Sequence, residues 1–422
     1  MPANLTVGFL FLSLLAVITS GVSTSSKPDK YFNNELIGDT TDHHVFKENM
    51  PGVSMRSDLL RSDRVHGASV HEVVFVIRQR NMEELTGILN DVSDPESPNY
   101  GQHLSREKVT NMTSNPESRD AILSYLSSIG SKVKSVTRGG DFIIAEAPVA
   151  VWEEQFKAEF FTLQQTLPSG RTHEVVRADA YSIPSELHKH VESVLNILEI
   201  PNGERASSRN KFAPLINTNL VTPSKIRKFY NMSTSRGSFQ STQAVFAAIE
   251  ENFSPSDLKA FQANQNLEFQ TATSIGGHTG DALCVSTPST CGEANLDMQY
   301  IMGTSPGSPT IFWYTDFGFT AWLVDVSQAS QVPLVLSISY GQEERFVTKA
   351  TLDAFNTIAM KLSLMGVTIF VASGDDGANS RKVRGLKSSL CGYQPDFPST
   401  SPYLTAVGAT SVGCMLNVPT SY

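Results

Sequence analysis

Hydrophobic positions along the chain follow two different rhythms, one in each half. In the first half, Val73, Val74, Phe75, Val76 and Ile77 make a strand-like run over His71 to Arg78. The spacing then predicts a helix over Met82 to Asp91, a turn-rich link Asp94-Pro-Glu-Ser-Pro-Asn-Tyr-Gly101, and a helix over Arg119 to Ile129. Val133 to Ala147 reads as two strands around Gly139-Gly140. A helix over Val149 to Phe160 and strands near Thr162 and His173 follow. A β-α-β-β-α-β order of this kind suggests a ferredoxin-like split βαβ domain, an α+β fold that says nothing of function by itself.

The second half has a different pattern. Ala244 to Ile249, Thr310 to Tyr314, Pro333 to Ser339 and Val367 to Ala372 are apolar runs of strand length. Between them, Ser256-Asp257 opens a helix through Gln262, and helical spacing covers Glu293 to Met302, Thr320 to Ala329 and Val347 to Leu364. Apolar strands alternating with helices argue an α/β fold, a parallel sheet covered on both faces. Between the halves, Pro201 to Asn219 is polar and contains Asn-Gly-Glu-Arg-Ala-Ser-Ser-Arg-Asn-Lys, the composition of an exposed, cleavable linker.

With 422 residues, 40% hydrophobic and 18% charged, the chain is large enough for two such domains. Its net charge of −9 and lack of a Lys/Arg cluster argue against nucleic acid as a partner. Leu5 to Ile18 is apolar but too short to span a bilayer, and small residues follow it, as in a secretory signal, although no Lys or Arg precedes it. No later stretch reads as a membrane span. The expected organisation is a signal peptide over 1–23, an irregular segment over 24–67, and an α+β domain over 68–200. A linker over 201–219 and the α/β domain over 220–422 complete it.

Four cysteines in an exported chain allow three disulfide connectivities, of which the local pairs Cys284–Cys291 and Cys391–Cys414 are expected. No zinc-type spacing occurs, and no metal site is expected from the residues. Asn111-Met-Thr and Asn231-Met-Ser have the form of glycosylation acceptors.

The stretch Cys291-Gly-Glu-Ala-Asn-Leu-Asp-Met-Gln-Tyr300 carries the candidate chemistry. Glu293 and Asp297 are four apart, so a helix projects both carboxylates from one face. On an exposed helix the pair is only a solvated acidic face. Buried, it is a dyad sharing a proton, with one member tuned to act as a base. Two further motifs close apolar strands, where ligand sites of parallel sheets lie. They are Ser337-Ile-Ser-Tyr-Gly341 and Ser373-Gly-Asp375-Asp-Gly377.

Asp94-Pro-x-Ser-Pro-x-Tyr-Gly-x-x-Leu104-Ser-x-Glu107 resembles the propeptide signature of the sedolisins, the serine-carboxyl peptidases. Val221-Thr-Pro-Ser-Lys-Ile-Arg-Lys-Phe-Tyr-Asn231 is similar to the start of their mature domain, especially in tripeptidyl-peptidase-type members. The block Pro395-Asp-Phe-Pro through Thr410 is similar to one shared with subtilisins. The resemblance implies a subtilisin-like parallel sheet behind an activation propeptide that acts as an intramolecular inhibitor. It implies peptide-bond hydrolysis in acid, in a secreted or lysosomal (vacuolar) compartment, on peptide or protein substrates.

Residue by residue, Glu293 takes the general-base role, Asp297 its orienting partner, and Asp375 the oxyanion donor. Asp376 stands where the family has Ser. Ser337, Ser339, Tyr340, Gly341, Ser373 and Gly374 line the substrate cleft. A carboxyl stabilises a developing oxyanion only when protonated, which fits acid chemistry. Calcium is implied too, but the family's C-terminal ligands have no counterpart before Tyr422.

Nor does the nucleophile, which the family places in Gly-Thr-Ser-x-Ser/Ala at a later helix. Gly303-Thr-Ser305 has the letters in the wrong chain order. Gly276-Gly-His278-Thr-Gly280 superficially matches a subtilase histidine motif, but opens no helix. The chain is therefore expected to be an acid peptidase zymogen lacking its nucleophile segment, through an incomplete sequence or a natural truncation. The alternative is a non-catalytic homologue that binds peptides or inhibits.

Overall fold

The computed structural model describes residues 43–50, 59–167, 171–200, 221–232, 236–375 and 393–409. The expected signal segment, the processing linker, Asp376, Gly377 and the Cys391–Cys414 pairing lie outside the described residues.

The N-terminal lobe begins with β1 (His44–Asn49), β2 (Leu59–Arg64) and β3 (Val70–Ile77). Helices α1 (Met82–Ser93), α2 (Arg106–Thr113) and α3 (Pro116–Ser128) lead to β4 (Lys132–Val136) and β5 (Phe142–Pro148). Then come α4 (Val149–Phe156), β6 (Phe160–Thr166), β7 (Thr172–Ala178), β8 (Ala180–Pro184) and β9 (Val191–Leu195). Four strands form an antiparallel sheet in the order β4-β5-β3-β9, the arrangement of a split βαβ unit.

Two expectations are corrected here. The fourth strand of this sheet is Val191–Leu195, whereas the run near Thr162 pairs with β2 and β7 in a separate three-stranded sheet. The helix expected to reach Phe160 stops at Phe156, where Lys157 turns left-handed at φ 51°. Phe160 and Phe161 are buried in two different apolar clusters, a two-residue alternation that a strand satisfies and a helix does not.

In the C-terminal lobe, α5 (Pro223–Phe229) precedes β10 (Gln243–Ala247), α6 (Pro255–Asn264), β11 (Thr273–Ile275) and α7 (Asp281–Ser286). The dyad helix is α8 (Gly292–Thr304), followed by β12 (Thr310–Tyr314), α9 (Gly318–Gln328), β13 (Val335–Ile338) and β14 (Gln342–Glu343). Last come α10 (Lys349–Leu364), β15 (Thr368–Ala372), β16 (Asp396–Phe397) and β17 (Thr405–Val407). The main sheet is parallel throughout, in the order β11-β12-β10-β13-β15-β17.

Alternate residues of β10 explain its unbroken apolar run. Ala244 and Phe246 pack with α9 and α10, while Val245 and Ala247 pack with Ala294, Met298 and Met302 of α8. Helix α6 starts at Pro255, not at Ser256. Ser254 caps it, accepting the Asp257 amide at 3.0 Å and donating to Asp281 Oδ1 at 2.9 Å. Proline at the first helical position favours this start. Replacing Ser254 with alanine is expected to cost about 1–2 kcal/mol, read from denaturant unfolding. A shift within experimental error would show that the cap is dispensable.

The lobes share a core. Val76 and Phe142 join the cluster of α9 and α10, while Leu85, Leu89, Val92 and Val109 surround Met360 and Leu364. The turn-rich link is the bracket for this docking. Asp91 accepts from Ser97 Oγ at 2.5 Å and Asn99 Nδ2 at 2.7 Å, and Gly101, at φ 74°, bonds back to Val92 O. The chain is thereby aimed so that the Leu104 amide reaches Leu364 O at 2.8 Å.

Polar contacts also tie the lobes together. Asp141 meets Lys361 at 2.6 Å. The Glu48 carboxylate accepts the amides of Lys349 and Ala350, at 2.5 and 3.2 Å, in the first turn of α10.

Candidate active site

The chain runs from β10 outward to β12 and β11 on one side and to β13, β15 and β17 on the other, so β10 marks a topological switch point. Crevices at the carboxyl ends of strands beside such a point are where open parallel sheets bind ligands. Helix α8 brings Glu293 and Asp297 there. Asp297 Oδ1 accepts a hydrogen bond at 2.8 Å from Ser339 Oγ, one residue past the end of β13. Its Oδ2 is buried and has no hydrogen-bond partner among the described residues.

A third carboxylate, which the sequence pattern did not flag, completes the group. Glu251 lies four residues past β10, fully buried, and its Oε2 accepts the Ala294 amide at 3.2 Å. It thereby satisfies one orphan donor of the first turn of α8, where Cys291 provides no side-chain cap.

Burial first, and then the Glu293 charge, hold Asp297 well above the ordinary carboxylate range. The Ser339 hydrogen bond works against this shift, and Glu251 adds to it. Carboxyl groups crowded in this way cannot all ionise together, and they retain a proton among them.

The other expected site residues lie along the same edge. Gly341 leads into β14, which pairs antiparallel with β16, joining the Ser-Ile-Ser-Tyr-Gly segment to the Phe-Pro block. Tyr340 is an interior residue, its ring edge-on to Phe246 at 5.3 Å, and Ser337 lies within β13 between β10 and β15. Ser373 donates its amide to Val407 O at 3.0 Å. Gly374 has φ 86°, and a side chain there would collide with the Asp396 carboxylate. Asp375 follows, exposed, three residues beyond β15.

The structure thus joins Asp297 and Ser339 directly, with Glu293 and Glu251 acting on the same carboxyl group. Ser305 stands at the far end of α8, eight residues or roughly 12 Å along the helix from Asp297. Its hydroxyl is engaged by Ile301 O at 2.6 Å and lies 3.0 Å from Gln243 Oε1. His278, at φ 55°, stacks on Tyr314 with ring centroids 3.6 Å apart. Calcium finds no set of three or more convergent carboxylate, histidine or cysteine ligands among the described residues.

A disulfide, Cys284–Cys291, closes the loop that feeds α8. The sequence separation of 7 gives a chain-entropy contribution of about 2–3 kcal/mol. Replacing both cysteines with serine is expected to lower unfolding stability by that amount. Equal stability of the variant and the oxidised parent would contradict this.

The N-terminal lobe also reaches toward the site. Arg171, at the start of β7, pairs with the nearly buried Glu250, the residue beside Glu251.

The paired carboxylates of α8 thus lie at the switch point of a parallel sheet, with a separate α+β lobe packed against the same domain. Residues 57–199 match the family model described as Pro-kumamolisin, activation domain. Tripeptidyl-peptidase 1 of Macaca fascicularis is 31% identical over 359 residues, which cover 80% of this chain and 61% of that protein. The Homo sapiens protein of the same name is 30% identical over 357 residues, with the same coverage. Residues 57–199 thus carry the activation domain described by that family model, and the chain is similar to tripeptidyl-peptidase 1 over 80% of its length. It spans about 61% of the length of the curated relatives named here. A solved Pseudomonas sedolisin, a serine-carboxyl proteinase complexed with two molecules of pseudo-iodotyrostatin, matches at 24% identity and a TM-score of 0.37. That match covers 44% of this chain and 52% of the other.

Proposed function

We propose that the chain is the zymogen form of an acid serine-carboxyl peptidase, tripeptidyl-peptidase-like in its substrates, exported to a secreted or lysosomal compartment. The observation that carries this reading is the group of half-buried Glu293 and Asp297 with fully buried Glu251 at the switch point, Asp297 being bonded to Ser339. Glu293 accepts the proton of a serine hydroxyl, and Asp297 orients Glu293 by sharing a proton with it. Asp375, protonated, donates to the oxyanion of the tetrahedral intermediate. The N-terminal lobe acts as the intramolecular inhibitor, and the contact of Arg171 with Glu250 supports that role. Calcium remains an implication of the family alone.

No serine of residues 1–422 lies in the family's nucleophile context, so this chain alone is expected to be inactive. The test is to express it in a secretory host, acidify it, and offer tripeptide-amide and protein substrates. A polypeptide extended at its C-terminus by the corresponding segment of tripeptidyl-peptidase 1 serves as the comparison. Turnover only by the extended form supports the reading. Activity of residues 1–422 that disappears in Ser305→Ala would sink the assignment of roles.

A further inference from the structure

Between the two lobes lies a cavity of about 40 Å³ whose walls are cationic. Arg106 of α2 and Arg138 of the turn between β4 and β5 line it from the N-terminal lobe, and Gln328 and Lys361 from the C-terminal lobe. Its one carboxylate, Asp141, is occupied by Lys361 at 2.6 Å. Two guanidinium charges are left over, and neither forms an ion pair among the described residues. In a chain of net charge −9, such a local positive surplus is not the general character of the surface.

Both arginines are held in place by the opposite lobe. Arg106 Nη2 donates to Ala329 O at 2.7 Å, and the Arg138 amide donates to Gln328 Oε1 at 2.9 Å. Each guanidinium has five N–H donors in a planar fork, so most of Arg106's donors remain after its bond to Ala329. Burial, and then the Arg138 charge, work against the charge on Arg106. The two cations therefore weaken the lobe interface when nothing lies between them.

We infer that this cavity binds a small dianionic oxyanion, sulfate or phosphate, which bridges Arg106 and Arg138 and removes their mutual repulsion where the N-terminal lobe meets the end of α9. Geometry and size define the class. Planar N–H forks match tetrahedral oxyanions, and charge-assisted hydrogen bonds to them are about twice as strong as neutral ones. The volume corresponds to roughly three water-sized spheres, too little for a nucleotide or an organic phosphate of any bulk. Occupancy neutralises the two like charges that docking brings together with the end of α9, so the anion stabilises the docked lobes independently of any catalytic chemistry.

The experiment titrates sodium sulfate into residues 1–422 by calorimetry and by thermal unfolding, with sodium chloride holding ionic strength constant. Saturable binding and a saturating rise in unfolding temperature are expected. Arg138→Gln, at an exposed position whose loss leaves the core intact, should weaken binding about tenfold, the equivalent of one charge-assisted hydrogen bond. Arg138→Lys, which keeps the charge but not the fork, should fall between the two. Sulfate also stabilises proteins generally by exclusion from their surface. A linear, non-saturating response, or equal affinity in the parent and Arg138→Gln, overturns the inference.

Discussion

Lys361→Met is expected to destabilise the docked chain by about 3–5 kcal/mol at neutral pH, the cost of leaving a buried charge without its partner. Lys361 and Asp141 are 13% and 11% exposed, so solvent screens the pair little. Lys361 also donates to Gln79 Oε1 at 3.0 Å, and Thr137 donates to the Asp141 carboxylate. Burial pushes the Asp141 carboxyl up, but Lys361 and the Thr137 bond more than offset this and hold it below the ordinary range.

The sign of the pH dependence follows. The contribution is complete above the unfolded carboxyl value of about 3.9 and is lost as pH falls through the lower folded value. In the variant burial is opposed only by the Thr137 and backbone hydrogen bonds, so the Asp141 carboxyl rises relative to the parent. The penalty should therefore be largest near neutrality and shrink on acidification. Urea unfolding at neutral and acid pH provides the comparison. An equal loss at both would show that the pair is not its source. In the parent, the same linkage loosens one of the bonds between the lobes below about pH 4.

The second large effect concerns catalysis in a polypeptide that carries the nucleophile. On the proposed roles, Glu293→Gln removes the base, and Asp375→Asn removes the acidic donor to the oxyanion. Each is expected to lower turnover by about 10²-fold or more. Near-parental turnover of either variant, or an alkaline optimum, would remove these residues from the mechanism.

Glu293→Gln has a second readout on residues 1–422 alone. Asp297 is raised first by burial and then by Glu293, so the variant should lower it while leaving the burial contribution in place. A carboxyl raised in the folded state disfavours folding most above its folded value, and this penalty shrinks as pH falls below that value and is gone below the unfolded value of about 3.9. Asp297→Asn should therefore stabilise the chain at neutral pH and gain little in acid. Its effect on unfolding midpoint against pH distinguishes a tuned dyad from an ordinary acidic helix face.

The sequence made the second lobe more readable than the first, and for a physical reason. Strands buried on both faces, such as Gln243–Ala247 and Thr310–Tyr314, are unbroken apolar runs flanked by polar turns. In the N-terminal lobe, Val191–Leu195 carries Glu192 and Ser193 inside a five-residue strand, so its membership of the main sheet depended on long-range pairing with β3. Helix α2 was invisible as an amphipathic pattern because only Val109 and Thr113 are buried along it.

At the site, the four-residue spacing of Glu293 and Asp297 was legible as a shared helix face. The bond from Ser339 was not, because the two residues are 42 apart in sequence and meet only through the sheet. Glu251 was hidden similarly, since nothing local marks a glutamate that caps a helix 43 residues later.

The Glu48 contact with the first turn of α10 bears on how the protein is made. It joins residues 301 apart, so the N-terminal lobe leaves the ribosome long before its docking partner exists. The last strand of the lobe ends at Leu195, 154 residues before Lys349, so at synthesis rates of about 5–20 residues per second the delay is roughly 8–30 s. Throughout that interval Val76, Phe142, Leu85 and Leu89 have no helix against which to bury, and Asp141 has no lysine. A nascent chain stalled before Lys349 should present that apolar face to holdase chaperones, whereas one extended past Leu364 should conceal it.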